Sequence, residues 1–161
     1  MTCTEEYMAG LLNQYQNDPE CRFDLDYLSE KDPNPFQWKA LLEGLQGSIY
    51  EGGFYMVKII FPDNYPESRP SLYFLNKIFH PHVEKNSLSI CIESCPEKGI
   101  LPLLDVVENM FSDYDADLKH AFPQEPRQLL QSNQRDEFIK KAKEWVRNYA
   151  KASDIEQFYD L

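Results

Sequence analysis

Tyr50-Glu51-Gly52-Gly53-Phe54-Tyr55-Met56-Val57-Lys58-Ile59-Ile60-Phe61-Pro62, with its continuation to Cys91, carries the reading of the fold. Gly52 and Gly53 can take φ > 0 and so suit a tight turn. Phe54 to Phe61 is rich in β-branched and aromatic residues, the composition of a strand, and Pro62 ends it. Asp63 to Pro70 is a loop stiffened by proline, and Ser71 to Leu75 reads as a second strand. Beyond it lie Phe79-His80-Pro81-His82-Val83, a polar loop, and Leu88-Ser89-Ile90-Cys91-Ile92. Two strands thus deliver a stiff loop that ends on one cysteine between apolar neighbours.

Arg22 to Leu28 and Phe36 to Glu43 alternate apolar and polar positions, the period of half-buried strands. Phe36, Trp38, Ala40 and Leu42 are expected inward, with Gln37, Lys39 and Glu43 outward. The four runs predict an antiparallel meander half-covered by helices, an α+β fold. Tyr7, Met8, Leu11, Leu12 and Tyr15 stand at helical spacing, with Thr2 and Glu5 placed for a capping box and Asn17-Asp18-Pro19 as the stop. After Cys91 the period changes. Pro102 suits the first turn of a broadly apolar helix, although Leu101 stands where a capping Ser or Thr is usual. Asp113 to Pro126 reads as an acidic, proline-punctuated loop. A long helix is expected from about Asn133 to Ala150, with Phe138, Ala142, Trp145 and Tyr149 as its stripe. Ser153 and Glu156 are placed to cap a terminal turn carrying Ile155 and Phe158.

The chain has 161 residues, 42% of them hydrophobic, enough for one domain (1–161) that buries its own core. It holds 27 Asp+Glu against 16 Lys+Arg, a net charge of -11. Binding to nucleic acid is not expected, because phosphate neutralisation needs clustered cations. No apolar run nears the ~20 residues of a membrane span, and residues 1–20 lack a secretory pattern. Cys3, Cys21, Cys91 and Cys95 are too irregularly spaced for a disulfide framework, which points to a reduced compartment, cytosol or nucleus. Cys91 alone reads either as a small buried hydrophobe or as a nucleophile. His80-x-His82 with Cys91-x3-Cys95 offers a zinc set, but the cysteine spacing is wrong for the common structural sites and no metal is expected.

The order Tyr-Glu-Gly-Gly, Phe61-Pro62-x-x-Tyr65-Pro66, His80-Pro81-His82 and Ile90-Cys91 resembles the core of the ubiquitin-conjugating enzymes over roughly Phe36 to Ala150. The resemblance implies the fold of that family: an N-terminal helix, a four-stranded meander, a cysteine-bearing loop and C-terminal helices. It implies that Cys91 takes ubiquitin or a ubiquitin-like protein as a thioester from an activating enzyme. The acyl group then passes to an amine or to a ligase. ATP is used by the upstream activating enzyme, so no cofactor is expected here, and the chain is expected to act as a monomer.

Departures from the family pattern sharpen these expectations. His82 replaces the family's Asn, which helps stabilise the oxyanion formed as the amine attacks. A neutral imidazole can donate one hydrogen bond, and imidazole titrates near neutrality. A minority branch of the family, acting on protein N-terminal amines, also carries His there. His80 and Pro81 are expected to be structural. Leu88 stands where Gly is usual, and the segment from Val83 to Ile90 is slightly longer than is common. Counting back from Trp145 puts Ala121 where the family often has an acid that orients the amine, which leaves Asp113, Asp115 and Asp117 as substitutes if their loop folds over the thiol. Glu67 and Pro102 fall in the ligase-contact segments, both altered, and the first helix lacks the basic residues usual for docking the activating enzyme. An alternative reading is a weak or inactive adaptor of the same fold that binds ubiquitin or partner proteins.

Overall fold

Trp38 marks the middle of the core. The computed structural model describes residues 3–92, 95 and 97–161. Its sheet has four antiparallel strands in the order β1-β2-β3-β4: β1 Asp24–Tyr27, β2 Gln37–Glu43, β3 Phe54–Ile60 and β4 Ser71–Phe74. Trp38 pairs with Ile59, Ala40 with Val57 and Leu42 with Tyr55, so the alternation puts these six side chains on one face. All six are buried, and Trp38 packs edge-on against Tyr15 and Phe61. Burying an aliphatic side chain such as Ile59 contributes about 1.5–3 kcal/mol, and one register slip would forfeit every member of the row.

Helix α1 (Glu5–Gln16) lays Met8 and Leu12 against this face. Thr2, expected in a capping box, lies outside the described residues; Thr4 is the cap, its hydroxyl oxygen accepting from the Tyr7 N–H at 3.0 Å. Helix α2 (Ile100–Asn109) buries Ile100, Leu103, Leu104 and Val107 and holds Pro102 in its first turn, as expected. The helix begins earlier than Leu101, after Gly99, whose φ of 102° is a backbone conformation suited to glycine.

The stretch expected to be one loop up to Pro126 holds a short helix and the start of another. A 3-10 turn covers Leu118–His120, and α3 covers Glu125–Gln131 with Pro126 in its first turn. Proline therefore starts a helix here rather than punctuating a loop. Asn133, at φ 59°, ends that segment, so α4 spans Arg135–Tyr149 and buries Phe138 and Ala142. The terminal turn, α5 (Ala152–Ile155), is capped two residues earlier than Ser153: the Asp154 carboxylate accepts from the Lys151 N–H at 2.9 Å.

Lys39 departs furthest from expectation. It does lie on the outer face, but it is only 2% exposed. The segment after α4 crosses that face, and the Lys39 ammonium donates to the Phe158 carbonyl at 2.8 Å.

Candidate active site

Beyond β4 the sheet is continued by a hairpin rather than a full strand. The Phe74 N–H donates to the Leu88 carbonyl at 2.9 Å, and the Ile90 N–H donates to the Leu72 carbonyl at 3.0 Å. On the hairpin's other side the Cys91 N–H donates to the His82 carbonyl at 2.9 Å, and Val83 bridges Ile90. Cys91 is thus carried by backbone hydrogen bonds on a fixed edge. The turn that makes this possible, Glu84 to Leu88, is closed by the Leu88 N–H on the Glu84 carbonyl. The Glu84 carboxylate accepts from the Ser87 and Asn86 N–H groups, and these bonds hold its carboxyl below the usual range. Leu88 has φ 60°, a left-handed conformation in which glycine would be unstrained.

His80 is the anchor beneath. It is 1% exposed; its Nδ1 accepts from the His82 N–H at 3.0 Å, which puts the proton on Nε2, and Nε2 donates to the Met110 carbonyl at 2.8 Å. Burial pushes its pKa down to about 3, so the ring is neutral, as this bonding requires. Tyr50 lies beside it, donating its hydroxyl to the Phe79 carbonyl at 2.6 Å. Pro81 is buried, and its carbonyl accepts from the Phe122 N–H. Both His80 nitrogens are occupied by the backbone, which removes it from any zinc set. Among the described residues no three His, Cys, Asp or Glu side chains converge as metal ligands.

Half-buried Cys91 lines a cleft of about 300 Å³, shared with His82, Met110, Asp113, Ala116 and Asp117. His82 is 7% exposed, and its Nε2 lies 2.7 Å from the Ala116 carbonyl, so Nε2–H donates there. That bond ties the segment after α2 across the cleft and brings two carboxylates to the thiol's surroundings. Asp117 is engaged with His120 Nδ1 at 2.8 Å, and Asp115 faces away onto Arg135 at 2.9 Å. Asp113 is exposed in the cleft, and no hydrogen bond to its carboxylate occurs among the described residues. With Nε2–H spent on Ala116, a neutral His82 presents only the Nδ1 lone pair, an acceptor. Its ring can donate to an oxyanion from Nδ1 only as the imidazolium.

Of the residues singled out in the sequence, Cys91, His82, Asp113 and Asp117 therefore share one cleft, with His80 and Pro81 directly behind it. Ala121 is buried at the end of the Leu118–His120 turn. Glu67 and α2's first turn sit elsewhere, around a smaller groove that also holds Tyr65, Cys95 and Leu103. There Glu67 pairs with Lys98 at 3.4 Å, and the Cys95 thiol donates to the Glu97 carbonyl at 3.4 Å. Pro102 is half-buried next to Gly99. Sequence reasoning missed Gln124, which is 8% exposed: its Nε2 donates to the Val83 carbonyl at 2.5 Å and its Oε1 accepts from the Lys85 N–H. It pins the cysteine hairpin to the chain before α3. A lone Gln beside Pro123 and Pro126 carries no local signal of such a role.

Comparison with known proteins agrees with the geometry. A family model described as ubiquitin-conjugating enzyme matches residues 3–146. Ubiquitin conjugating enzyme E2 B of Dictyostelium discoideum is 34% identical over 124 residues, 74% of this chain and 82% of its own. Ubiquitin-conjugating enzyme E2 5 of Arabidopsis thaliana is 33% identical over 113 residues, 67% of this chain and 60% of its own. The crystal structure of a candidate ubiquitin conjugating enzyme from Plasmodium yoelii superposes with a TM-score of 0.77 at 25% identity, covering 94% of this chain and 99% of that one.

Proposed function

The chain belongs to the ubiquitin-conjugating enzyme family, and we propose that it accepts ubiquitin or a ubiquitin-like protein as a thioester on Cys91. The Cys91 thiolate attacks the thioester carbonyl presented by an activating enzyme, whose own thiolate leaves. An amine, or the thiol of a ligase, then attacks the new thioester and Cys91 departs as thiolate. ATP is consumed upstream. The observation that carries this reading is the half-buried Cys91 at an open cleft, on an edge held by backbone hydrogen bonds. A fixed thiol costs little reorganisation when the acyl group arrives.

The surroundings suit an amine acceptor. Asp113 gives the cleft a carboxylate that attracts and orients an incoming ammonium and takes its proton as it becomes a nucleophile. His82 positions that carboxylate through the Ala116 carbonyl. Glu67 and the turn at Pro102 are the surface offered to a ligase, and the cytosol or nucleus is the compartment that keeps four thiols reduced. Incubation with activating enzymes, ATP and a panel of ubiquitin-like proteins tests the proposal. It predicts an adduct with at least one modifier and none after Cys91→Ala; failure with every modifier and activating-enzyme pair refutes it.

One observation favours a second reading, an adaptor with weak or no turnover. The His82 hydrogen that would serve an oxyanion is already committed to Ala116. A protein that loads the modifier but discharges it to amines no faster than free thioester hydrolysis would fit the adaptor.

A further inference from the structure

We propose that residues 152–161 form a displaceable strap over the outer face of the sheet, opening as a unit while the main core stays closed. The joint is sharply placed. Ala150 is fully buried within the main core, and its carbonyl accepts from the Phe54 N–H at 2.8 Å. The next residue, Lys151, is exposed and extended, with φ -75° and ψ 158°. Beyond it the chain turns over β3 and β2 and reaches the start of the β1–β2 connection, where the Leu161 carbonyl accepts from the Glu30 N–H at 2.8 Å.

What the strap covers is separate from what holds the domain together. Ile155 and Met56 are buried at 4% and 1% exposure, yet neither belongs to the contiguous core cluster around Trp38. Helix α5 lies against β3, the strand whose outer side carries Met56. The charge beneath works against closure. Lys39 is shut from water, and its ammonium, with three donors to satisfy, meets the Phe158 carbonyl and, at 5.7 Å, the ring of Tyr159. Asp26 and Lys58 stand directly across from Lys39 on the two neighbouring strands, and an ammonium buried on one carbonyl offsets part of the gain from burying Ile155. The end of the strap is wet: Tyr159 and Leu161 are each 41% exposed. A segment joined through an extended residue, with one buried apolar anchor and a desolvated cation under it, opens at a lower free energy than the sheet. Opening bares Lys39, whose ammonium the Phe158 carbonyl and the Tyr159 ring now face, and the outer side of β3 against which α5 lies. The strap is therefore a built-in switch between a covered and an uncovered outer face.

The test uses the full chain. Lys39 acetylation by an N-hydroxysuccinimide ester is followed by mass spectrometry across low urea, beside hydrogen exchange of the Ala40 and Val57 amides. The strap predicts that Lys39 reacts through an opening that barely depends on urea, while the two amides exchange with the full slope of global unfolding. Ile155→Ala should speed Lys39 acetylation roughly tenfold or more and keep the shallow slope. Lys39 reacting with the same urea slope as the amides in the parent chain would overturn the proposal, whatever the behaviour of the variant.

Discussion

Replacing His80 by Gln should remove a specific acid sensitivity from the fold. The ring is sealed, neutral and bonded at both nitrogens, and its pKa sits at about 3 against an ordinary 6.5. A histidine whose folded pKa is depressed contributes no penalty above the unfolded value. Below it the unfolded chain binds a proton that the folded chain refuses, so stability falls as pH drops from about 6.5 toward 3. Each unit of that gap is worth about 1.4 kcal/mol, so the loss reaches about 2 kcal/mol by pH 5 and about 5 kcal/mol below both values. His80→Gln keeps a donor for the Met110 carbonyl and cannot titrate. It should be less stable at pH 7.5 by about 1–3 kcal/mol, because the His82 N–H loses a well-placed acceptor. Between pH 7.5 and pH 5, however, the parent should lose about 2 kcal/mol more than the variant. Urea midpoints at both pH values measure this, and the carboxylates and the other two histidines cancel in the comparison. Equal losses in parent and variant would show that the ring is not held neutral, and the account of the anchor would fail.

Three further outcomes follow from the site. Leu88→Gly should be more stable than Leu88→Ala by about 1 kcal/mol, since both lose the same half-buried side chain but only glycine escapes the left-handed penalty; the reverse order in denaturant melts would show an unstrained turn. Asp113→Asn should leave thioester formation intact and slow discharge to free lysine by roughly tenfold, whereas Asp115→Asn, which loses only an exposed pair with Arg135, should leave discharge unchanged in single-turnover assays. His82→Ala should slow discharge more than loading, because the Ala116 carbonyl loses its tie.

The sheet was legible because its cause is local. Trp38, Ala40 and Leu42 alternate with polar neighbours, and the same period in β3 sets the partner face. The cysteine hairpin was legible through its spacing, and Leu88 stands out in it because a glycine is usual there; the φ of 60° supplies the reason. What escaped depended on contacts far along the chain. Lys39 looks like an outward residue in any strand pattern, and its burial is imposed by Phe158, 119 positions away. The nearness of Asp113 to Cys91 follows from the His82 bond to Ala116, 34 positions on. Gln124 works through backbone atoms about 40 residues earlier. Helix α3 was hidden because Pro126 carries opposite meanings at a helix start and in a loop.

The most direct measurement is peptide mapping of the adduct formed with an activating enzyme, ATP and the matching modifier. The account predicts a single modifier acyl group on Cys91, released by thiol reductant, and an oxygen ester on the same residue, resistant to reductant, in Cys91→Ser. An adduct mapped to Cys95, or one that survives intact in Cys91→Ala, would contradict it.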